Sequence, residues 1–520
     1  MLNKKKIFLI VILLMIFVLY KLNNYSTSEI LPIQKLEEYL NGKNTKEPTL
    51  NLYKSLDIKN INDKNIKEVN NLAKKIINSK DAINKYITYP GGKRVPIYHY
   101  NPNQNYNYNF NNSYHKEYNL YVKNGIVKVG DLPSFKGKTL FLKLKCLSNT
   151  IVSKLFFPSI QIKYKGKIYN YTQEYEASGI RYLNISDINL TSNSKISIIG
   201  KFLSIPEQNA TLISFPNPDL KNKKILIISP HPDDAEIAAY GLYSNNHNNI
   251  YIVTITAGEA GPDKYYRDYF TNKTKRYIFK GEKRTWDSIN IPALGGVKYD
   301  NIINLGFFDG RLGVMYRHPQ AIIKGIFTNS TDINLFRKLN RSPLAKELKG
   351  SANWKSLVDN LSYLLQKIKP DIIVTVYPAI DHHPDHKYSS IALFQAIKKC
   401  NYKHGKLFLY SNHLEDSEYF PFGNQGDPIS LPPTMPKTIY FNSIFSYHLN
   451  HITQAKKLFA LEEMSDLRFD TNAFEDPCKD KNPLVCKDIS YYRRAVRSNE
   501  LFFIIDIKNL YNKEIYKSLK

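Results

Sequence analysis

The stretch that most constrains this chain is Lys224-Ile225-Leu226-Ile227-Ile228-Ser229-Pro230-His231-Pro232-Asp233-Asp234-Ala235-Glu236-Ile237. A short β-branched apolar run stops abruptly in one His and two Asp, and a helical pattern follows. Strand, polar turn and helix is how open α/β sheets place reactive groups at the carboxyl end of a strand. A second cluster, His382-His383-Pro384-Asp385-His386, follows another apolar run at 372–376. The residues lead us to expect that the two turns meet and hold one metal ion.

His231 and Asp234 stand three apart, as do His383 and His386, a spacing that brings side chains to one side of a tight or first helical turn. Imidazole nitrogen and carboxylate oxygen suit Zn²⁺, and two His with one carboxylate and an open position make a catalytic set rather than a structural one. Zinc lowers the pKa of bound water from 15.7 to about 7. A carboxylate left off the metal, Asp233, is then free to take a proton, and an imidazole across the substrate can protonate a leaving amine. The plainer reading makes Asp233 a helix N-cap with Glu236 completing a capping box. It leaves His231-Pro232 unexplained. For the second cluster the plainer reading is a polar surface loop, yet three of the chain's 12 histidines fall there within five residues.

His231-Pro232-Asp233-Asp234 and His383-Pro384-Asp385-His386 resemble the two signature motifs of the PIG-L/LmbE-like N-acetylglucosaminyl deacetylase family. Ala235-Glu236-Ile237 with Gly241, Thr256-Ala257-Gly258-Glu259-Ala260-Gly261 and Leu305-Gly306-Phe307-Phe308-Asp309-Gly310-Arg311-Leu312 extend the likeness over roughly 222–412, with a weaker echo at 454–463. The resemblance implies a Rossmann-like fold and zinc-dependent hydrolysis of an N-acetyl group from an amino sugar. It implies that His231, Asp234 and His386 bind zinc and that Asp233 is the general base. His383 would be the acid or the group that stabilises the tetrahedral intermediate, Asp385 would orient a histidine, and Arg284 and Asp309 would hold substrate hydroxyls. Two departures stand out: Asp287 where relatives commonly carry Glu three residues after the Arg, and a single Gly241 where they often have two.

The rest of the chain frames this core. Lys4-Lys5-Lys6 precede an apolar run at 7–20, which reads as a signal anchor or a signal peptide within residues 1–25. Lysines ahead of the apolar run place the body outside the cytoplasm, membrane-anchored or, after cleavage, secreted. Residues 26–90 carry helical spacing and read as a stalk or packing segment. Residues 91–218 switch to period two, with strand-like runs at 120–122, 125–129, 139–144, 160–164 and 194–199, and predict an all-β sandwich-like module. Its tyrosines could stack on sugar rings, but half-buried packing is the stronger reading of strand tyrosines. Residues 219–520 predict the α/β domain with a C-terminal extension: strands at 225–228, 251–256, 302–305, 372–376 and 407–410, helices at 357–367 and 389–399, then an amphipathic helix at 452–464 and a final strand at 501–507. Strands alternating with helices imply a mainly parallel sheet.

The net charge of +27 is spread along the chain without a basic block or nucleic-acid motif, so composition bias accounts for it and no nucleic-acid partner is expected. None of the four cysteines has Cys-x-x-Cys spacing; Cys478 and Cys486 flank a loop that a disulfide could close in an exported protein. Taken together, the sequence predicts a membrane-anchored zinc deacetylase acting on an N-acetylated glycan or glycolipid, an extracytoplasmic polysaccharide foremost. The alternatives are a zinc amidase for another acylated substrate and an inactive carbohydrate-binding scaffold. Oligomeric state is not legible.

Overall fold

The computed structural model describes residues 86–88, 94–96, 98–148, 153, 157–246, 249–262, 270–434, 439–468 and 490–520. The apolar run at 7–20 and the pair Cys478 and Cys486 lie outside them. Among the described residues no helix is long and apolar enough to cross a membrane. Of the segment 26–90 expected to be helical, only residues 86–88 are described, and these are strand; the rest of the segment lies outside the described residues. Strand β1 (Tyr86–Thr88) pairs antiparallel with β2 (Arg94–Pro96), as an aromatic and β-branched triplet before Gly91-Gly92 favours.

The β-module holds β3 (Lys116–Lys123), β4 (Ile126–Lys128), β5 (Lys138–Cys146), β6 (Ser159–Tyr164), β7 (Lys167–Thr172), β8 (Gly179–Asn184), β9 (Lys195–Lys201) and β10 (Gln208–Pro216). They form one antiparallel sheet of eight strands in the order β7-β6-β9-β4-β3-β10-β5-β8. The sandwich expectation is therefore corrected in one respect: a single continuous sheet curls over itself instead of two sheets stacking. Val122, Leu142, Ile162 and Leu183 share one core, and Tyr171 of edge strand β7 donates its hydroxyl to the Asn184 carbonyl of edge strand β8 at 2.9 Å. Alternation decides which residues point inward. The opposite face of β5, β8 and β10 presents Phe141, Tyr182, Ile213 and Phe215, which pack with Phe441 and Phe503 of the second domain. Asn184 bridges directly, donating to the Ile429 carbonyl and to Ser446 Oγ, each at 2.9 Å.

The α/β domain runs β11 (Ile225–Ser229), α1 (Asp234–Asn245), β12 (Ile250–Thr256), α2 (Lys273–Leu294), β13 (Ile302–Phe307), α3 (Leu312–Arg317), α4 (Asn334–Arg337), α5 (Pro343–Lys346), α6 (Trp354–Ile368), β14 (Ile372–Val376), α7 (Pro384–Lys399), β15 (Lys406–Tyr410), β16 (Ser443–His448), α8 (His451–Glu463), α9 (Tyr491–Ala495), β17 (Asn499–Asp506) and α10 (Lys513–Ser518). The sheet order is β13-β12-β11-β14-β15-β17-β16. The first five strands are parallel, in keeping with their almost continuous burial and with the β-branched runs of β11 and β14. The C-terminal extension adds β17 and β16 as an antiparallel edge, so the sheet is mixed.

Strand order reverses between β11 and β14, both of which end in the polar clusters. A crevice opens at such a switch point, outside the carboxyl ends of the strands. The extension also braces the helix that starts at Asp234. Ala239 leaves helical geometry (φ −144°, ψ 20°), and Glu500 of β17 accepts from Gly241 N at 2.8 Å and Leu242 N at 2.9 Å. Lys457 of α8 neutralises Glu500 at 2.8 Å, both side chains being 1% exposed.

Candidate active site

Two βα turns build the site. After β11 the chain turns through Pro230-His231-Pro232, and His231 N donates to Asp234 Oδ2 at 2.9 Å, which folds the carboxylate back beside its own turn. After β14 the chain passes Asp381-His382-His383 into α7, with Pro384 at the first helical position, where its missing N–H costs nothing. That turn lays His386 across from His231.

Three ligand-type atoms then lie at nearly one spacing. His231 Nδ1 is 3.3 Å from Asp234 Oδ2, His386 Nε2 is 3.2 Å from the same oxygen, and the two ring nitrogens are 3.2 Å apart. Atoms on a tetrahedron 2.0–2.1 Å from its centre are about 3.3–3.4 Å apart, so the triangle fits a small tetrahedral cation with one position open. The surrounding charge calls for a cation as well. Burial disfavours the protonated His231, yet Asp309 and Asp234 raise its pKa well above the ordinary value. His386 is likewise pushed up to about 10, with Asp234 and Asp381 outweighing burial. His231, His383 and His386 also satisfy the mutual distances of a metal-binding group.

Asp233 stays off this triangle. Its backbone takes φ 156° and ψ −26°, sparsely populated for a residue with a Cβ, and its side chain makes no cap hydrogen bond. The Asp233 carboxylate instead receives Arg284 Nη2 at 2.8 Å. Burial pushes its pKa up to about 7 against the pull of that guanidinium. Arg284 comes from α2 and also donates to the Gly258 carbonyl at 2.8 Å and the Pro232 carbonyl at 3.1 Å. The close approach needs Gly258, at φ +64°, where a Cβ would stand 2.5 Å from Arg284 Nη1.

His383 stands at the N-cap position of α7 without a side-chain capping bond; its ring is 4.9 Å from that of His231, and its Nδ1 is buried without a hydrogen-bond partner. Burial, then the neighbouring His231 and His386, lowers its pKa to about 2, which keeps the ring neutral. Asp309 lies beside His231, Oδ1 to Nε2 at 3.2 Å. Asp385 is 3.6 Å from the same nitrogen and accepts Gly310 N at 2.6 Å and Leu312 N at 3.2 Å, which fixes the loop carrying Asp309. Every residue singled out from the sequence thus falls in one cluster: His231, Asp233, Asp234, Arg284, Asp309, His383, Asp385 and His386.

The sequence reading missed the partners that aim this cluster. Asp381 Oδ2 lies 3.3 Å from His386 Nδ1 and accepts from Asn412 N and His413 N, each at 3.0 Å. A carboxylate five residues before a metal-type histidine was the available signal. Asn412 Nδ2 donates to Asp234 Oδ1 at 2.7 Å, and Asp466 pairs with Arg284 at 3.3 Å. Asp287, where the family pattern departs, accepts Ser465 Oγ at 2.6 Å and so pins the end of the α8 segment. Asn412, Ser465 and Asp466 carry no motif in the sequence.

Fold and site together place a metal-type cluster of histidines and carboxylates at the switch point of the mixed sheet. Residues 226–397 match the family model described as PIG-L, GlcNAc-PI de-N-acetylase. No curated protein matches the chain. Among solved structures it is similar to the zinc-inhibited form of teicoplanin deacetylase (17% identity, 54% of this chain and 97% of that one, TM-score 0.30). It is also similar to N,N'-diacetylchitobiose deacetylase from Pyrococcus horikoshii (18%, 56% and 90%, TM-score 0.30). A third likeness is to A40926 pseudoaglycone deacetylase (17%, 55% and 99%, TM-score 0.30).

Proposed function

We propose that this protein hydrolyses the N-acetyl group of an amino sugar in a glycan or glycolipid, with zinc held by His231, Asp234 and His386. The observation that carries the reading is the triangle of His231 Nδ1, Asp234 Oδ2 and His386 Nε2, with Asp233 beside it but held by Arg284. When bound, the ion supplies Lewis acidity and lowers the pKa of water at its open position.

The chain's own residues then have distinct duties. Asp233, with a pKa near neutrality, takes a proton from the attacking water; a base matched to the working pH is the efficient one. His383, kept neutral by burial, donates an N–H hydrogen bond to the oxyanion of the tetrahedral intermediate. Of the two roles the family resemblance leaves open for His383, its neutrality favours this one over that of a cationic acid. As the C–N bond breaks, the proton on Asp233 passes to the departing nitrogen, and acetate and a free amine result. Arg284 fixes Asp233, Asp385 fixes the Asp309 loop, and Asp309 with Arg284 meets the sugar hydroxyls.

The substrate side of the proposal is an extracytoplasmic polysaccharide. It is supported by the three lysines preceding the apolar run at 7–20, which orient the body outward if that run enters the membrane. Acetate release from a panel of N-acetylated glycans, with and without a chelator, tests the reading. Chelator-sensitive release from amino-sugar polymers is expected. No release across the panel from metal-loaded protein would favour a different amide substrate, and absence of any bound metal would favour a binding scaffold.

A further inference from the structure

A second group of ligand-type side chains converges at the rim of the site. We propose that His382, His413 and Glu418 bind a second divalent transition-metal ion of the zinc class, distinct from the one assigned to His231, Asp234 and His386. His413 Nδ1 is 2.8 Å from Glu418 Oε1, and His382 Nδ1 is 3.6 Å from Glu418 Oε2. One ligand atom from each residue lies within 4.8 Å of the other two. Two imidazoles and a carboxylate are a zinc-type donor set, and these spacings bracket the edge of a tetrahedron about 3.3–3.4 Å across.

Two further observations point to a ligand rather than to an ordinary ion pair. Glu418 Oε2 is a buried carboxylate oxygen with no hydrogen-bond donor, although Oε1 is served by both His413 and Arg494, the latter at 3.3 Å. An ionised oxygen left without a donor in a low-dielectric place is costly unless a cation meets it. His413 is also oriented from behind, as metal ligands are. His413 Nε2 faces the Tyr491 hydroxyl at 3.1 Å, and His382 N donates to the His413 carbonyl at 2.9 Å, which ties the two loops together. His382 is 44% exposed, so the fourth position opens to solvent.

Binding would displace the protons now lying between His413 Nδ1 and Glu418 and between His382 Nδ1 and the His413 carbonyl, at 3.1 Å. The half-exposed His382 makes this the weaker of the two sites. Its occupant would sit beside the catalytic histidines, because the His413 ring is 5.0 Å from that of His386 and 5.4 Å from that of His383.

Zinc titration of the full-length protein against a chromophoric chelator tests the proposal. The wild type should take up two equivalents, the second at least about tenfold weaker, the scale on which single ligand-shell changes act. His382→Ala, a change at an exposed side chain, and Glu418→Gln should each lose the second equivalent and keep the first. His386→Ala should lose the tight equivalent and keep the weak one, which separates a failure at the rim from a failure of the functional reading. A wild type that binds one equivalent, or a second equivalent undiminished in His382→Ala, would overturn the proposal.

Discussion

Arg284 Nη2 lies 2.8 Å from Asp233 Oδ2, and this contact holds Asp233 apart from its neighbour Asp234. Asp234 turns toward His231 and His386, while Asp233 is held by a guanidinium that also meets the Gly258 and Pro232 carbonyls and Asp466. A lysine cannot reproduce that fork. Arg284→Lys should therefore keep its metal and lower turnover by about 10–100-fold, the scale of an ångström-sized misplacement of a catalytic group. Metal content beside steady-state rates checks this; unchanged turnover would remove Arg284 from the account.

Asp381 is placed to fix the His386 ring through Nδ1 at 3.3 Å, leaving Nε2 toward the metal position. Losing such a partner commonly costs 10–100-fold in metal affinity. We expect Asp381→Asn to weaken zinc binding by about that factor in chelator competition, with the folded state retained.

The extension should matter for stability as well as for the site. Lys457 and Glu500 pair with both side chains 1% exposed, and Glu500 also closes the break in α1. Removing one member of a buried pair leaves the other uncompensated, at a cost of about 3–5 kcal/mol. Denaturant unfolding of Glu500→Ala should show a loss of that size. The double change Lys457→Met with Glu500→Gln should recover part of it.

A pH dependence is expected between the two domains. His448 at the end of β16 meets Asp187 of the β-module at 2.6 Å, and that hydrogen bond raises its pKa despite partial burial and Lys167. The folded state thus binds the proton more tightly than the unfolded chain, whose histidine titrates near 6.5. The stabilisation is complete below about pH 6.5 and is lost as pH rises through the folded value. Melting temperatures of the wild type and His448→Gln should converge as pH rises from about 6 to about 9.

What could be read in the sequence follows from where the information lies. The two turns were legible because His and Asp interrupt β-branched runs that have no other reason to end in them, and β11 to β15 were legible for the same apolar runs. Strand β8 was missed because Arg181 reads as an exposed residue. It is 1% exposed, satisfied by Glu174 at 3.3 Å and by backbone carbonyls including Pro102 at 2.6 Å. Helix α2 was missed because Gly281 and Pro292 read as breakers. Gly281 is there because a Cβ would meet Phe336 at 2.4 Å. Asn412, Asp466 and His413 carry no local pattern. They become part of the site only when β15 and the extension pack beside β14, a tertiary fact that no window along the chain contains.

The central claim gives neighbouring aspartates different duties, and Asp233→Asn tests it most directly when zinc content and acetate release are measured on the same preparation. The account predicts one tightly held zinc as in the wild type, with deacetylation lowered by at least about 100-fold, within the range a general base supplies. A variant that keeps its zinc and remains fully active would contradict Asp233 as the base. One that loses its zinc would contradict the ligand set of His231, Asp234 and His386.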